Sequence, residues 1–278
     1  KEQLEKEEND KSQPNENEEE GKKEATIVKT TARAKNNGKE KIGGTKSEYV
    51  VAIAAGHSKE ESGAEGNGLN EEVLTIEVAE KVEELIKQKY SNVKVVQTGS
   101  TANKGVKAEE RKQLAREANP DLCIQIHFNS ATSADATGVE VIYKKNDGIS
   151  QQLAEILTKS ISTEMGLTDR GAAADVDRAA VGSLGIIENA ALSGFPSVVT
   201  EGGFISGTND SQVIKNGGVE KYAEGIVKGI KEYLEADHSG YTSTAPEEIT
   251  ETESINSIVQ NLKYVPQEKM REYIDNND

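Results

Sequence analysis

An α/β domain, with an open, twisted, mostly parallel sheet flanked by helices on both faces, is the fold class this sequence predicts. Two observations predict it. From Tyr49 to Ala236, short apolar runs of strand length alternate with longer stretches whose apolar residues recur at helical spacing. Ahead of that span, from Lys1 to about Ser47, apolar residues are almost absent, which confines the core to the residues after it.

The run "YVVAIAA", starting at Tyr49, reads as a buried strand. In "NEEVLTIEVAEKVEELIKQKY", Val73, Ile76, Val82, Leu85 and Ile86 fall at helical spacing with acids opposite. "NVKVVQT" is a second strand, and "AEERKQLAREAN" is a helix stopped by Pro120. "DLCIQIHFN" and the alternating "TGVEVIY" are strands. "ISQQLAEILTKSISTEM" is a helix ending near Gly166, and "LGIIENA" is short and ambiguous. "PSVVTEGGF" is a strand that ends in a carboxylate and two glycines. "VEKYAEGIVKGIKEYLEA" closes the domain as an amphipathic helix.

The chain divides into three regions. Residues 1–48 read as a disordered charged tether, acidic as far as Glu20 and basic from Lys22 to Lys46. Residues 49–236 form the α/β domain. Residues 237–278 are a Ser/Thr/Pro/Glu-rich linker and a partial helical segment that reads as the start of a further domain. The chain opens on "KEQLEKEEND" without a Met and reads as a piece of a longer multidomain protein, compatible with a leader or anchor ahead of it.

Composition excludes several classes. A net charge of -16 and a pI near 4.8 argue against nucleic acid or an anionic membrane as a partner held by broad electrostatics. There is no Trp and aromatics make up 4%, which does not suit a module that stacks sugars on indoles. The single cysteine, Cys123, rules out an internal disulfide and sits in an apolar run as a small hydrophobe. No apolar run is long enough to span a bilayer.

Four side chains stand out against that background. His57 follows "YVVAIAA", His127 follows "LCIQI" and Glu201 follows "PSVVT", so all three are expected at the carboxyl ends of strands, where an open α/β sheet binds ligands. Glu71 follows a glycine-rich loop and stands in the first turn of its helix, where the helix dipole favours a carboxylate. Two imidazoles and one carboxylate form a common catalytic zinc set that leaves a position for water. A further carboxylate then handles that water's protons. Singly, each residue has an ordinary reading: a hydrogen-bonding strand-end histidine, a helix N-terminal charge, a lysine's partner. Those readings weaken when all four meet at one crevice. His238, in the linker, has no such context.

The blocks "AGHS", "GLNEEV", "ERKQLAREANPDLCIQIHFNS", "TGVEVIY", "DRG" and "FPSVVTEGGFISGTND" also come in a familiar order. Over about Tyr49 to Leu234 the chain resembles the zinc-dependent N-acetylmuramoyl-L-alanine amidases of the Amidase_3 type, nearest the clostridial and phage-endolysin branch. Ala54, Ala55, Ser58 and Lys59 stand in place of the family's usual Asp-Pro and Gly-Gly, Gly99 in place of an Arg, and "HFNS" in place of His-Ala-Asn. The connection from Tyr143 to Ser150 is too short for the inhibitory helix of some relatives. The resemblance implies a peptidoglycan hydrolase of the cell envelope or exterior, with Zn2+ bound by His57, Glu71 and His127 and Glu201 as acid/base. A zinc peptidase cutting stem peptides, or a non-catalytic wall-binding module on the same fold, are the alternatives.

Overall fold

The structure is a computed structural model and describes residues 38–177 and 194–242. The tether as far as residue 37, the stretch "LGIIENA" and the segment from Ser243 onward lie outside those residues.

The core of the fold is a six-stranded sheet. In chain order the strands are β1 (Tyr49–Ala55), a small hairpin of β2 (Glu65–Gly66) and β3 (Leu69–Asn70), then β4 (Val93–Gln97), β5 (Leu122–Asn129), β6 (Val139–Tyr143), β7 (Asp169–Ala174) and β8 (Ser197–Phe204). The large sheet has the order β4-β1-β5-β8-β6-β7. Its pairs are parallel except β6 with β8. Successive parallel strands need crossovers, and helices supply them: α1 (Glu71–Lys89) from β1 to its neighbour β4, α2 (Ala108–Ala118) from β4 over β1 to β5, and α3 (Gly148–Met165) from β6 to its neighbour β7. Two further helices, α4 (Thr208–Lys215) and α5 (Gly218–Glu235), come after β8. The architecture is the expected open, mostly parallel α/β sheet.

Each helix begins and ends for a local reason. The Asn70 side chain accepts from Val73 N at 3.2 Å and caps α1. Asp147 caps α3, and Gly166 ends it at φ 67, a left-handed conformation that favours glycine. With Asp147 and α3 so close behind β6, no inhibitory helix is inserted there. The apolar face of α1 is Leu74, Val78, Ala79, Val82 and Ile86. This corrects the expected face: Val73 is exposed and Ile76 and Leu85 are only half-buried.

One side of the sheet packs against α1, α3 and α5 through Leu74, Val78, Leu157, Ile161, Ile226 and Ile230 with the strand residues facing them. The other side carries a smaller apolar cluster, in which Ala52, Ala54, Cys123, Ile142 and Val199 meet Ala115 of α2 and Phe195. Cys123 is buried there, and burial pushes its thiol up to about 12, so it behaves as the small hydrophobe expected.

The domain reaches beyond its expected ends. Gly38 to Glu48 is not loose chain. Glu40 bridges to Tyr90, Ile42 is buried, and Asn92 holds the Ile42 backbone through both its amide atoms, at 2.9 and 3.1 Å. At the other end, Asp237 O accepts from Gln152 Nε2 at 3.0 Å and Thr242 O from Gly148 N at 2.9 Å. His238 lies over the Tyr233 ring and bonds Gln152 Oε1 at 2.6 Å, a structural role. The boundaries expected at 48 and 236 fall short because a single buried Ile and a few backbone bonds carry too little pattern to be read from sequence.

Candidate active site

The carboxyl end of the sheet collects the four singled-out side chains. His57 stands just past β1. His127 and Glu201 lie within β5 and β8, toward their carboxyl ends, and both strands end at the expected residues, Asn129 and Phe204. His127 is the register partner of Glu201, and Glu201 is in turn the partner of Glu140 on β6. Residues opposite one another on adjacent strands share a face. His127, Glu201 and Glu140 therefore form a row on the side that α2 covers.

The loop from β1 brings Glu71 back to the two imidazoles. It is ordered by its own bonds: Ser58 and Glu61 exchange backbone hydrogen bonds, and Glu71 N donates to Ala64 O at 3.0 Å. The Glu71 carboxylate is buried at the first turn of α1. Its Oε2 accepts from Ala64 N at 2.8 Å and its Oε1 from Phe128 N at 3.0 Å. The same Oε1 lies 3.0 Å from His57 Nε2 and 3.1 Å from His127 Nδ1. One ligand atom from each of His57, Glu71 and His127 lies within 4.8 Å of the others, so the three could hold one metal ion. The donor set, two imidazoles and a carboxylate, suits a divalent ion of the first transition row.

Neighbours fix the two imidazole rings. His57 Nδ1 bonds Glu61 O at 2.8 Å, which leaves Nε2 facing Glu71. His127 Nε2 is 2.7 Å from Gln125 Nε2, an amide nitrogen that donates to the ring nitrogen. The buried Arg111 of α2 donates from Nη2 to Glu61 Oε2 at 3.1 Å and from Nη1 to Val106 O at 2.9 Å. It thereby ties the His57 loop to the loop that leaves β4. Gly56 lies against the His127 ring, where an added Cβ would come 2.1 Å from Nε2. Only glycine allows strand β1 to run this close to the imidazole.

Charge follows the same arrangement. Burial opposes ionisation of Glu71, but bonds and charge from both imidazoles hold its carboxyl well below the usual range. For His57, burial also disfavours the charged form, yet Glu71 and the Glu61 carbonyl raise its pKa; for the more deeply buried His127, burial wins and lowers it. Glu201 is the opposite case. Burial first, then the charges of Glu71 and Glu140, raise its pKa well above the ordinary value. Its Oε2 is buried with no hydrogen-bond partner. A buried, orphaned carboxylate oxygen beside three residues that could hold a metal is costly for stability and marks a candidate for proton transfer.

The sequence brought out His57, Glu71, His127 and Glu201, and the structure gathers them. It did not bring out Gln125, Arg111, Glu61 or Glu140. Two of these carried a readable signal: Gln125 and Glu140 are polar residues at strand positions whose period of two puts them inside. Arg111 and Glu61 carried none, since they act through loop bonds.

Residues 51–232 match the family model described as Amidase_3, N-acetylmuramoyl-L-alanine amidase. Over 191 residues the chain is 33% identical to the uncharacterized protein YqiI of Bacillus subtilis, covering 67% of this chain and 85% of that one. Over 182 residues it is 26% identical to the N-acetylmuramoyl-L-alanine amidase CwlM of Bacillus licheniformis, covering 65% of this chain and 66% of that one. Among solved structures, the catalytic domain of CwlV, an N-acetylmuramoyl-L-alanine amidase from Bacillus (Paenibacillus) polymyxa, aligns with a TM-score of 0.58 at 28% identity. That alignment covers 68% of this chain and 99% of that one.

Proposed function

The chain belongs to the Amidase_3 family of N-acetylmuramoyl-L-alanine amidases, hydrolases of peptidoglycan amide bonds, and from that premise we propose how its own residues do this work. The bond cut joins the lactyl carbonyl of N-acetylmuramic acid to the L-alanine that begins the stem peptide. His57, Glu71 and His127 hold zinc, and Glu201 is the general acid/base. The observation that carries the reading is the convergence of ligand atoms from His57, Glu71 and His127 beside the orphaned Oε2 of the buried Glu201.

When bound, zinc supplies Lewis-acid activation of the scissile carbonyl and of water. The protein does the rest. Glu71 and the two imidazoles, oriented by Ala64 N, Phe128 N, Glu61 O and Gln125, form a rigid rim that fixes where the carbonyl sits. Glu201 takes the proton of the attacking water and hands it to the departing amine of L-alanine. Its raised pKa suits it to hold a proton during that exchange. Action on peptidoglycan places the working enzyme at the cell envelope or outside the cell. Among the described residues no helix is long and apolar enough to cross a membrane.

Digestion of purified peptidoglycan tests the reading. The expected products are sugar chains with free lactyl carboxylates and peptides that begin with L-alanine. A chelator should stop their release and added zinc should restore it. Peptides cut between other stem residues would mean a peptidase instead. Wall that only binds the protein and stays uncut would mean a binding module.

A further inference from the structure

A cation stands at the end of the row that carries the site. Val139 of β6 pairs with Asp169 of β7, but Val141 pairs with Ala172. Two steps along β6 thus match three along β7, a bulge with one extra residue. Gly171, at φ 85, supplies the left-handed backbone. Counted back from the Ala172–Ala174 ladder without that extra residue, Arg170 would fall on the α3 side. With it, Asp169 takes the α3 side, accepting from Thr158 Oγ1 at 2.8 Å, and Arg170 turns to the face of Glu140, Glu201 and His127.

The guanidinium is held there. Its Nη1 donates to Thr137 O at 3.3 Å, its Nε lies 3.8 Å from Glu140 Oε1, and its Cζ lies 5.1 Å from the centre of the Phe204 ring. The aliphatic stem runs across Gly138, where an added Cβ would meet Arg170 Cγ at 2.8 Å. The side chain remains 38% exposed. A bulge beside a reacting row that re-aims one long cationic side chain, held from three directions and open to solvent, suits an anion arriving from outside.

We propose that Arg170 binds the carboxylate carried by the stem-peptide residue next after L-alanine. This rests on the amidase reading and names the feature of the substrate that the site recognises. Strands lie about 4.8 Å apart, so the Arg170 backbone is roughly 10 Å from that of Glu201, two strands away. An extended chain advances about 3.5 Å per residue. With the arginine stem reaching back over Gly138, the next stem residue falls within reach of its head. In peptidoglycan that residue is D-glutamate linked through its γ-carboxyl, and its α-carboxyl is either free or amidated. A guanidinium fork matches a carboxylate and not a carboxamide. The substrate therefore lies along the row with its peptide toward β7 and its uncharged sugar the other way.

The test uses two synthetic N-acetylmuramoyl dipeptides, both blocked as an amide at the γ-carboxyl, one with the α-carboxyl free and the other amidated. The full chain, loaded with zinc, should cut the free acid with a kcat/KM roughly 10-fold or more above that of the amide, mainly through KM. Arg170→Gln should bring the ratio close to 1 by raising KM for the acid alone, and Arg170→Lys should restore part of the preference. Comparing two substrates in one preparation cancels any loss of folded protein. A ratio unchanged in Arg170→Gln, or an equal loss on both substrates, would overturn the assignment and leave Arg170 as a structural partner of Glu140. Failure of the wild-type chain to cut either compound would overturn the amidase reading itself, and this inference with it.

Discussion

Glu201, the proposed acid/base, is a residue whose proposed function would oppose stability. Its carboxylate is buried, unpaired at Oε2 and close to two other acids, so its folded-state pKa is raised. A raised carboxyl pKa means that the metal-free native chain binds a proton the unfolded chain has released. The resulting loss of stability is absent below the ordinary Glu range and grows as pH rises through it. Glu201→Gln keeps the shape and removes the charge. Without metal, that variant should melt above wild type at pH 8, by about 2–4 °C for each kcal/mol recovered, with the gap closing toward pH 4. Its activity with zinc should fall by roughly 10²–10⁴-fold. Thermal melts of both proteins over that pH range, set beside release of L-alanine-terminated peptide, check the pair. A variant that melts no higher than wild type at pH 8 would mean that Glu201 is better satisfied than the structure shows. The identities of the four central residues were readable because each is chemically conspicuous beside an apolar run. Arg111 and Glu61 were not, because what they do is expressed only when two loops distant in sequence touch.

Strands and helices were legible where their pattern was strong. β1, β5 and β8 are long apolar runs, and α3 and α5 have a clear period. β7, "DRGAAA", was missed because Ala and Gly have little strand preference and its bulge interrupts the alternation. α4 was missed because eight residues give barely two turns of pattern. The close passage of β1 over the His127 ring offers a test at this scale. Gly56→Ala would put a methyl 2.1 Å from Nε2, so either the ring or the strand must move. Overpacking of this kind is typically worth about 1–3 kcal/mol, and displacing a ring of the proposed zinc set should weaken zinc binding about 10-fold or more. Gly105→Ala is the control, since its Cβ would meet only Glu60 Oε2 at 3.4 Å. Chelator competition on both variants measures the difference, and a Gly56→Ala protein that holds zinc like wild type would show that the ring has slack.

For the molecule as a whole, the ends of the folded unit matter more than the sequence suggested. Burying Ile42 is worth roughly 1.5–3 kcal/mol, and its backbone is held by both amide atoms of Asn92. A chain trimmed to residues 38–242 should therefore fold and cut small muropeptides like the full chain. One trimmed to 47–236 should melt about 5–10 °C lower. Equal melting of the two would show that the Gly38–Lys46 segment adds nothing to the core. By itself the sequence determined the fold class and most of the elements, and it singled out the four residues to which the proposed chemistry is assigned. Those properties come from local periodicity and from residue types that are rarely placed by chance at strand ends. Only the tertiary structure decided that β6 runs against β8, that His127, Glu201 and Glu140 share one row, and that a single inserted residue turns Arg170 toward them. Register and face are relations between strands, and a shift of one residue reverses a side chain without leaving a mark in the composition of either strand.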